Sequence, residues 1–146
     1  MNVQDIMSPT VATTSEETSI TDAAKIMMEQ NVGCLVVMEA GSVYGIITDR
    51  DITAGCVAEG HDPRKCKVMK HMSSPVVTIG PGTDLIEASR LMAAKRINRV
   101  PVVNLTKLVG IISIADVAKA MQVPMQNLLG NIGLDAPKRA AGAYDR

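Results

Sequence analysis

The sequence predicts a mixed α/β (α+β) fold in which two pseudo-symmetric β-α-β-β-α repeats pack as one intramolecular pair. Residues 3–52 align with residues 68–117 at an offset of 65 residues without a gap, and thirteen of the fifty pairs are identical. Each copy contains an amphipathic helical pattern followed by two β-rich runs. The 146 residues, 47% of them hydrophobic, suffice for a core that needs neither disulfide nor metal. Two copies of one unit can bury their apolar faces against each other.

Each copy begins with a short extended segment, residues 11–13 or 76–78, and continues into a helix. Ser19 and Asp84 are the expected N-caps, because their side-chain oxygens can accept hydrogen bonds from the first helical turn. An acidic residue three positions further on, as in a capping box, supports both assignments. The buried stripes are expected to be Ile20, Ala23 and Met27 in the first helix and Leu85, Ala88 and Met92 in the second.

Two β-rich runs follow in each copy, residues 35–38 and 43–47 and then residues 100–103 and 108–112. A second helix is expected after Thr48 in the first copy and after Ser113 in the second. Neighbouring strands joined by helices imply small sheets covered by helices.

The expected boundaries are residues 1–60 for the first repeat, 61–67 for a linker, 68–121 for the second repeat and 122–146 for a C-terminal tail. Apolar residues between 121 and 129 predict one or two further amphipathic turns. The position of the tail suggests that it straps a partner subunit or carries an output signal.

Charge and composition exclude several classes of protein. Fifteen basic residues balance fifteen acidic ones, and Tyr44 and Tyr144 are the only aromatic residues, so no nucleic-acid partner is expected. No apolar run is long enough to cross a bilayer and no signal peptide is evident, so a cytoplasmic location without membrane contact is expected. Three widely spaced cysteines do not form a disulfide framework. Catalytic motifs are absent, so the protein is not expected to be an enzyme.

The second β-rich run of each copy ends in a hydroxyl and a carboxylate three residues apart, Thr48 with Asp51 and Ser113 with Asp116. One interpretation is a capping box, in which each cap stabilises its helix by about 1 kcal/mol. The other is a ribose site, since a carboxylate can accept two hydrogen bonds from a 2′,3′-diol. One aspartate can do both.

The Gly-Ile-Ile-Thr/Ser-x-x-Asp ends and the Asn-Arg-Val-Pro-Val-Val run at residues 98–103 resemble the tandem CBS-domain pair, or Bateman module. The resemblance covers residues 3–120. Residues 48–63 are also similar to short stand-alone CBS-pair proteins, some of which are described as stress- or hypoxia-response proteins. The resemblance implies a non-catalytic regulatory module with AMP, ADP or ATP, or in some members NAD or S-adenosylmethionine, bound in the cleft between the repeats. It further implies energy sensing, a homodimer, and a conformational signal to a target protein of unknown identity.

The resemblance also implies the binding residues. Asp51 and Asp116 would hold ribose diols, aided by Thr48 and Ser113, and Thr13 and Thr78 would flank the base or sugar. The opposite repeat would contact the phosphates, through Asn98, Arg99 and Ala115 at the Asp51 site and through Gly33, Cys34 and Arg50 at the Asp116 site. One arginine per site suggests that a mono- or diphosphate binds in the micromolar range or more weakly.

The adenine would lie between aliphatic side chains, because no aromatic residue is close to either motif. The candidates are Ile47, Ile112, Val11, Val100 and Pro101. The alternative is that these side chains belong to the core.

Four soft metal-ligand types fall at intervals of five residues: Cys56, His61, Cys66 and His71. Structural zinc sites usually contain ligand pairs two to four residues apart, and steps of five do not share a helix face. The favoured interpretation is therefore that no metal is bound. Two alternatives to a nucleotide sensor stay open. One is a ligand-free interaction or dimerisation module whose motifs are only helix caps, and the other is a metal- or redox-responsive protein that uses these four residues.

Overall fold

The computed structural model describes residues 1–131, so most of the expected tail lies outside the described residues. Two repeats of mixed α/β structure are present, as the sequence predicts. The elements in chain order are a 3₁₀ helix (Val3–Asp5), β1 (Thr13–Ser15), α1 (Ile20–Gln30), β2 (Cys34–Glu39), β3 (Ser42–Thr48), a π-helical turn (Asp51–Val57), a second 3₁₀ helix (Val68–Lys70), α2 (Leu85–Lys95), β4 (Arg99–Asn104), β5 (Lys107–Ser113) and α3 (Ile114–Asn131).

The two sheets share one register but differ in strand number. In the first repeat β1 runs parallel to β2, and β2 pairs antiparallel with β3. In the second repeat β4 pairs with β5 in the same register, displaced by 65 residues. A single parallel bridge from Ile79 to Val102 stands where β1 would be. The extended segment predicted at residues 11–13 begins two residues before β1, and the one predicted at residues 76–78 forms no strand.

Side-chain caps start α1 and α2 at the predicted residues. Ser19 Oγ accepts a hydrogen bond from the Asp22 N–H at 3.1 Å, and Asp84 Oδ1 accepts one from the Ile86 N–H at 2.9 Å. Both helices end at a residue in the left-handed conformation, as helix C-termini often do. The predicted apolar stripes are buried: Ile20, Ala23 and Met27 in α1, and Leu85, Ala88 and Met92 in α2.

Removing the α1 cap tests the local part of this argument. Ser19→Ala is expected to lower the free energy of unfolding by about 1 kcal/mol, because the first-turn N–H loses its acceptor. Urea unfolding measures the change. Ser42→Ala is the control, since Ser42 is an exposed residue at the start of β3. Equal losses in the two variants would contradict a capping role.

The hydrophobic cores exchange segments between the repeats. Val3, at the N-terminus of the chain, is fully buried in the core of the second repeat, and Val68 is fully buried in the core of the first. Backbone hydrogen bonds hold this exchange: the Val3 N–H donates to Thr83 O at 2.9 Å and the Val68 N–H to Thr18 O at 2.8 Å. The expected boundaries therefore follow the sequence copies, whereas each core takes residues from both.

Two short antiparallel bridges join the repeats directly. Ile46 and Ser73 exchange backbone hydrogen bonds of 3.1 and 2.9 Å, and Ser8 and Ile111 exchange bonds of 2.9 and 3.0 Å. The glycine before each isoleucine allows this approach. A Cβ on Gly110 would lie 2.9 Å from the Ser8 carbonyl oxygen, closer than real Cβ contacts.

The second helices of the two copies differ in length and type. The first is the π-helical turn, whereas α3 extends to Asn131 and contains Pro124. The further turns predicted after residue 121 are thus part of α3. Within residues 1–131 no helix combines the length and the apolar character needed to cross a bilayer.

Candidate functional site

Two cavities lie between the repeats, one beside each Thr/Ser-x-x-Asp motif. The Asp51 cavity has a volume of about 380 Å³. The Asp116 cavity has a volume of about 240 Å³. Ligand pockets usually span about 300–1,000 Å³, so the first falls within the range and the second below it.

The residue sets that line the cavities are related by the 65-residue offset. Ten residues of the Asp116 cavity have their counterpart in the Asp51 cavity, so the cavities are two versions of one site. The pairs are Ser8/Ser73, Thr10/Pro75, Val11/Val76, Ala12/Val77, Val32/Ile97, Gly33/Asn98, Cys34/Arg99, Ile111/Ile46, Ser113/Thr48 and Asp116/Asp51.

The two motifs form helix caps and leave carboxylate capacity unused. Asp51 Oδ2 accepts the Thr48 N–H at 2.9 Å, and Thr48 Oγ1 accepts the Asp51 N–H at 3.1 Å. Asp116 Oδ2 accepts the Ser113 N–H at 2.8 Å in the same way. Within residues 1–131 the Oδ1 atom of each aspartate accepts no hydrogen bond. The capping interpretation therefore describes Oδ2, while Oδ1 is available to a ligand.

The hydroxyls of the two motifs differ in their hydrogen bonds. Ser113 Oγ donates to Asp116 Oδ2 at 2.8 Å, so its proton is already committed. Within the described residues the Thr48 hydroxyl accepts a hydrogen bond but makes no such donation. A ligand in the Asp51 cavity thus has one more available donor.

Charge separates the two cavities more strongly than shape does. Three arginines border the Asp51 cavity, Arg50, Arg96 and Arg99, together with Asp49 and Asp51. None of the three guanidinium groups forms a salt bridge with any residue from 1 to 131. Among the described residues, the lining of the Asp116 cavity contains one cation, Arg99, together with Asp116. An anionic ligand group is therefore attracted to the Asp51 cavity in particular.

Arg99 borders both cavities because Gly33, the residue of the first repeat next to its guanidinium group, has no side chain. A Cβ on Gly33 would lie 3.0 Å from Arg99 Nη2 and 3.2 Å from Asp49 Oδ2. The bare Gly33 backbone thus leaves room for the guanidinium between the two sites. Cys34, which occupies the position equivalent to Arg99, is buried and lines the Asp116 cavity together with Arg99.

The Cys34 thiol adds no charge to the Asp116 cavity. Its burial raises the pKa, and the carboxylate of Asp49 acts in the same direction, while Arg99 opposes them. The net shift is upward, so the thiol stays protonated and neutral at physiological pH. The contrast in charge between the two cavities therefore persists.

The expected adenine-contacting residues are mostly in the core instead. Ile47, Ile112 and Val100 are fully buried and belong to the cores that face the helices. Because side chains alternate along a strand, the cavities are lined by the preceding isoleucines, Ile46 and Ile111. Val11 does line the Asp116 cavity, as expected. Pro101, the strand partner of Ile111, is also fully buried and lines neither cavity.

Four other expected contacts are placed differently. Thr13 and Thr78 are exposed and lie outside both linings, because the chain passes the cavities at residues 10–12 and 75–77. Ala115 lines neither cavity. Arg50 borders the Asp51 cavity and not the Asp116 cavity, since it lies in the same first helical turn as Asp51.

Arg96 is one of the cavity residues that the sequence did not reveal, and it carries a positive charge. It ends α2 in the left-handed conformation, with φ 53°, and borders the Asp51 cavity beside Asn98 and Arg99. Its counterpart in the first repeat is Asn31, which is uncharged. The basic pair at 96 and 99, present in one copy only, is the signal that could have revealed it.

The folded chain brings together three of the four metal-ligand candidates. Ligand atoms of Cys56, Cys66 and His71 all lie within 4.8 Å of one another. His61 is exposed, and its ring centroid lies 5.5 Å from that of His71. Burial raises the pKa of the Cys56 thiol, and the neighbouring Cys66 adds to the shift. These residues line neither cavity.

The chain is similar in sequence to proteins of one known family. The CBS domain family matches the chain twice, over residues 3–56 and 67–123. CBS domain-containing protein YhcV of Bacillus subtilis is 40% identical over 117 residues, which cover 80% of this chain and 83% of that protein. Hypoxic response protein 1 of Mycobacterium tuberculosis is 30% identical over 117 residues, covering 80% of this chain and 82% of the relative.

Solved structures agree in fold. A hexameric CBS-CP12 protein from bloom-forming cyanobacteria superposes with a TM-score of 0.78 and 32% identity, covering 96% of this chain and 76% of that chain. The CBS domain pair of protein MJ0100, in complex with 5′-methylthioadenosine and S-adenosyl-L-methionine, superposes with a TM-score of 0.77 and 28% identity. That match covers 85% of this chain and 98% of the other.

Proposed function

Because this chain belongs to the CBS-domain family and is a CBS-pair regulatory module, we propose that it binds a phosphorylated adenosine ligand, AMP, ADP or ATP, in the Asp51 cavity. The main support is that this cavity combines three arginines with Asp51 Oδ1, which accepts no hydrogen bond from any residue between 1 and 131. Asp51 and Arg50 come from the first repeat, and Arg96 and Arg99 from the second. The proposed function is non-catalytic: ligand binding alters the interaction with a target protein.

The ribose and phosphate roles follow from the chemistry of the two ends of the cavity. Asp51 Oδ1 can accept both hydroxyls of a ribose diol while Oδ2 keeps its cap hydrogen bond. Guanidinium groups bind phosphate through paired N–H donors. Three guanidinium groups favour a ligand with one or more phosphates. From the sequence, only one arginine was expected at each site.

An apolar wall can receive the adenine. Ile46, Val76 and Val77 line the Asp51 cavity, and among residues 1–131 no aromatic side chain does so. Adenine would therefore lie between aliphatic side chains, with its edge directed at backbone groups.

The proposed signal is a shift in the relative positions of the repeats. Both repeats line the cavity, so a ligand stabilises whichever arrangement lets Asp51 and Arg99 reach it together. The shift can be no larger than the ratio of ligand affinities for the two arrangements.

The Asp116 cavity suits an adenosine compound with less negative charge. It is smaller, and the part of its lining that residues 1–131 form has one arginine, Arg99, which also borders the Asp51 cavity. S-adenosylmethionine and 5′-methylthioadenosine, which the MJ0100 pair binds, are ligands of this type. NAD, with two phosphates, would prefer the Asp51 cavity.

A homodimer is proposed from two apolar helical faces. One contains Met28 and Val57, exposed by 74% and 57%, and the other contains Ile86 and Leu128, exposed by 51% and 61%. The two faces occupy equivalent places on the two repeats. Thr21 lines a groove on the first face and Ile86, its counterpart at an offset of 65 residues, lines a groove on the second. We also propose a target protein and an energy- or stress-related input. The relative that is named for its hypoxic response supports the stress-related input.

Calorimetric titration of the nucleotide-free full chain with AMP, ADP, ATP, NAD, adenosine and S-adenosylmethionine tests the proposal. Asp51→Asn should weaken binding of the preferred nucleotide about 10- to 100-fold, the loss expected for hydrogen bonds to a charged group. The amide oxygen of Asn can keep the Thr48 cap, whereas its NH₂ group cannot accept the ribose hydroxyls. The variant therefore separates the ribose role from the capping role.

Asp116→Asn is the matched control, because it makes the same change in the equivalent cap. It should leave nucleotide binding at the Asp51 cavity unchanged. If only Asp116→Asn weakens binding, the nucleotide occupies the other cavity and the proposal is wrong. If none of the compounds binds, the motifs are helix caps alone and the ligand-free interaction module is favoured.

A further inference from the structure

A cluster of two thiols and one imidazole lies outside both cavities, at the junction of the linker with the first repeat. It consists of Cys56 in the π-helical turn, Cys66 at the end of the linker and His71 just after the second 3₁₀ helix. Their ligand atoms lie within 4.8 Å of one another. We propose that this cluster, the Cys56/Cys66/His71 site, binds one Zn²⁺ ion that fastens the linker to the first repeat.

An unsatisfied polar atom points to a missing partner at this place. His71 Nε2 is buried and has no hydrogen-bond partner among residues 1–131. On its other side, His71 Nδ1 would lie 3.5 Å from a Cβ on Gly55, so the ring packs against the glycine next to Cys56. Burying a ring nitrogen without a partner is costly, and a bound cation removes this cost for a neutral imidazole.

Backbone hydrogen bonds hold Cys66 and His71 in place, and core burial holds Cys56. The Cys66 N–H donates to Asp62 O at 3.0 Å, and Cys66 O accepts the Ile20 N–H at 2.9 Å. The His71 N–H donates to Val68 O at 3.0 Å. Cys56 is fully buried in the first core. The ligands are therefore brought together by the fold, and a metal would not have to gather them from mobile segments.

The donor set selects the ion. Two thiols and an imidazole favour Zn²⁺ over Mg²⁺ and Ca²⁺, which prefer oxygen ligands. Two sulfurs each about 2.3 Å from a tetrahedral Zn²⁺ lie about 3.8 Å apart. The present spread of up to 4.8 Å can close through small side-chain rotations. Solvent or the exposed His61 completes the fourth position, and the proposal rests on the other three ligands.

Cobalt and zinc titrations of the reduced, metal-free full chain test this site. Co²⁺ is expected to bind at one equivalent with thiolate charge-transfer absorption and the intense visible bands of tetrahedral coordination. Zn²⁺ should displace it and raise the midpoint of thermal unfolding. Cys66→Ser and His71→Ala should each lower Zn²⁺ affinity by at least about 100-fold, more than the loss of an outer hydrogen-bond partner usually does.

Cys34→Ser is the matched control, because Cys34 is a buried thiol that is not a member of this cluster. It should keep the cobalt spectrum of the parent chain. Circular dichroism without metal checks that the Cys66→Ser and His71→Ala variants are folded. An octahedral cobalt spectrum, or Zn²⁺ affinity that Cys66→Ser leaves unchanged, would overturn the proposal. Nucleotide titration is a separate readout, since the three residues line neither cavity.

Discussion

Arg99→Gln is expected to weaken the binding of the preferred adenine nucleotide about 100-fold and to leave adenosine binding almost unchanged. Arg99 borders the Asp51 cavity, forms no salt bridge within residues 1–131, and reaches the gap beside Gly33. A paired guanidinium–phosphate contact contributes up to about 3 kcal/mol, which corresponds to a factor of about 100. Calorimetric titration of one variant with AMP, ADP, ATP and adenosine measures both effects.

Arg90→Gln is the control for overall charge. Arg90 is an exposed residue of α2 that lines neither cavity, and the substitution removes the same charge. It should leave nucleotide affinity within about threefold, as expected for a solvent-screened charge. An equal loss of adenosine and nucleotide binding in Arg99→Gln would show that Arg99 shapes the cavity instead of binding phosphate.

Gly110→Ala is expected to lower the free energy of unfolding by about 1–3 kcal/mol, the usual cost of overpacking. The added Cβ would lie 2.5 Å from Met7 Sδ and 2.9 Å from the Ser8 carbonyl oxygen. The methionine side chain can move, but the Ser8 carbonyl is held because it accepts the Ile111 N–H at 3.0 Å. The substitution therefore strains the bridge that joins the repeats.

Denaturant unfolding, followed by circular dichroism, measures this effect. Gly82→Ala is the matched control, since its added Cβ would have no neighbour within 4 Å and its backbone needs no positive φ. It should change stability by less than about 0.5 kcal/mol. If Gly110→Ala is as stable as Gly82→Ala, the close approach at Gly110 is not a constraint on the fold.

Much of the site was predictable because it repeats. The 65-residue offset revealed two Thr/Ser-x-x-Asp motifs, and the structure places each beside a cavity with matching residues around it. The capping and ribose interpretations looked like alternatives in the sequence. In the folded chain the cap uses Asp51 Oδ2 and leaves Oδ1 for the proposed ribose contact, a division that only hydrogen-bond geometry can reveal.

The cavity linings differ from the predicted residues for two physical reasons. Ile47 and Ile112 belong to the correct strands but face the helices, and a one-residue step along a strand changes the face. The second reason concerns Arg50 and Arg96, which lie at helix ends. Each is close in sequence to a motif, but the cavity that its side chain borders depends on how the helix end is oriented.

The repeat, the order of the elements, the helix caps and the apolar stripes could all be read from the residue pattern, because each depends on neighbours a few positions away or on a second copy. Three features required the folded chain: the exchange of Val3 and Val68 between cores, the shared position of Arg99 between two cavities, and the meeting of Cys56, Cys66 and His71. Each depends on contacts that neither the periodicity nor the repeat offset contains. Such contacts are set by how the two repeats pack.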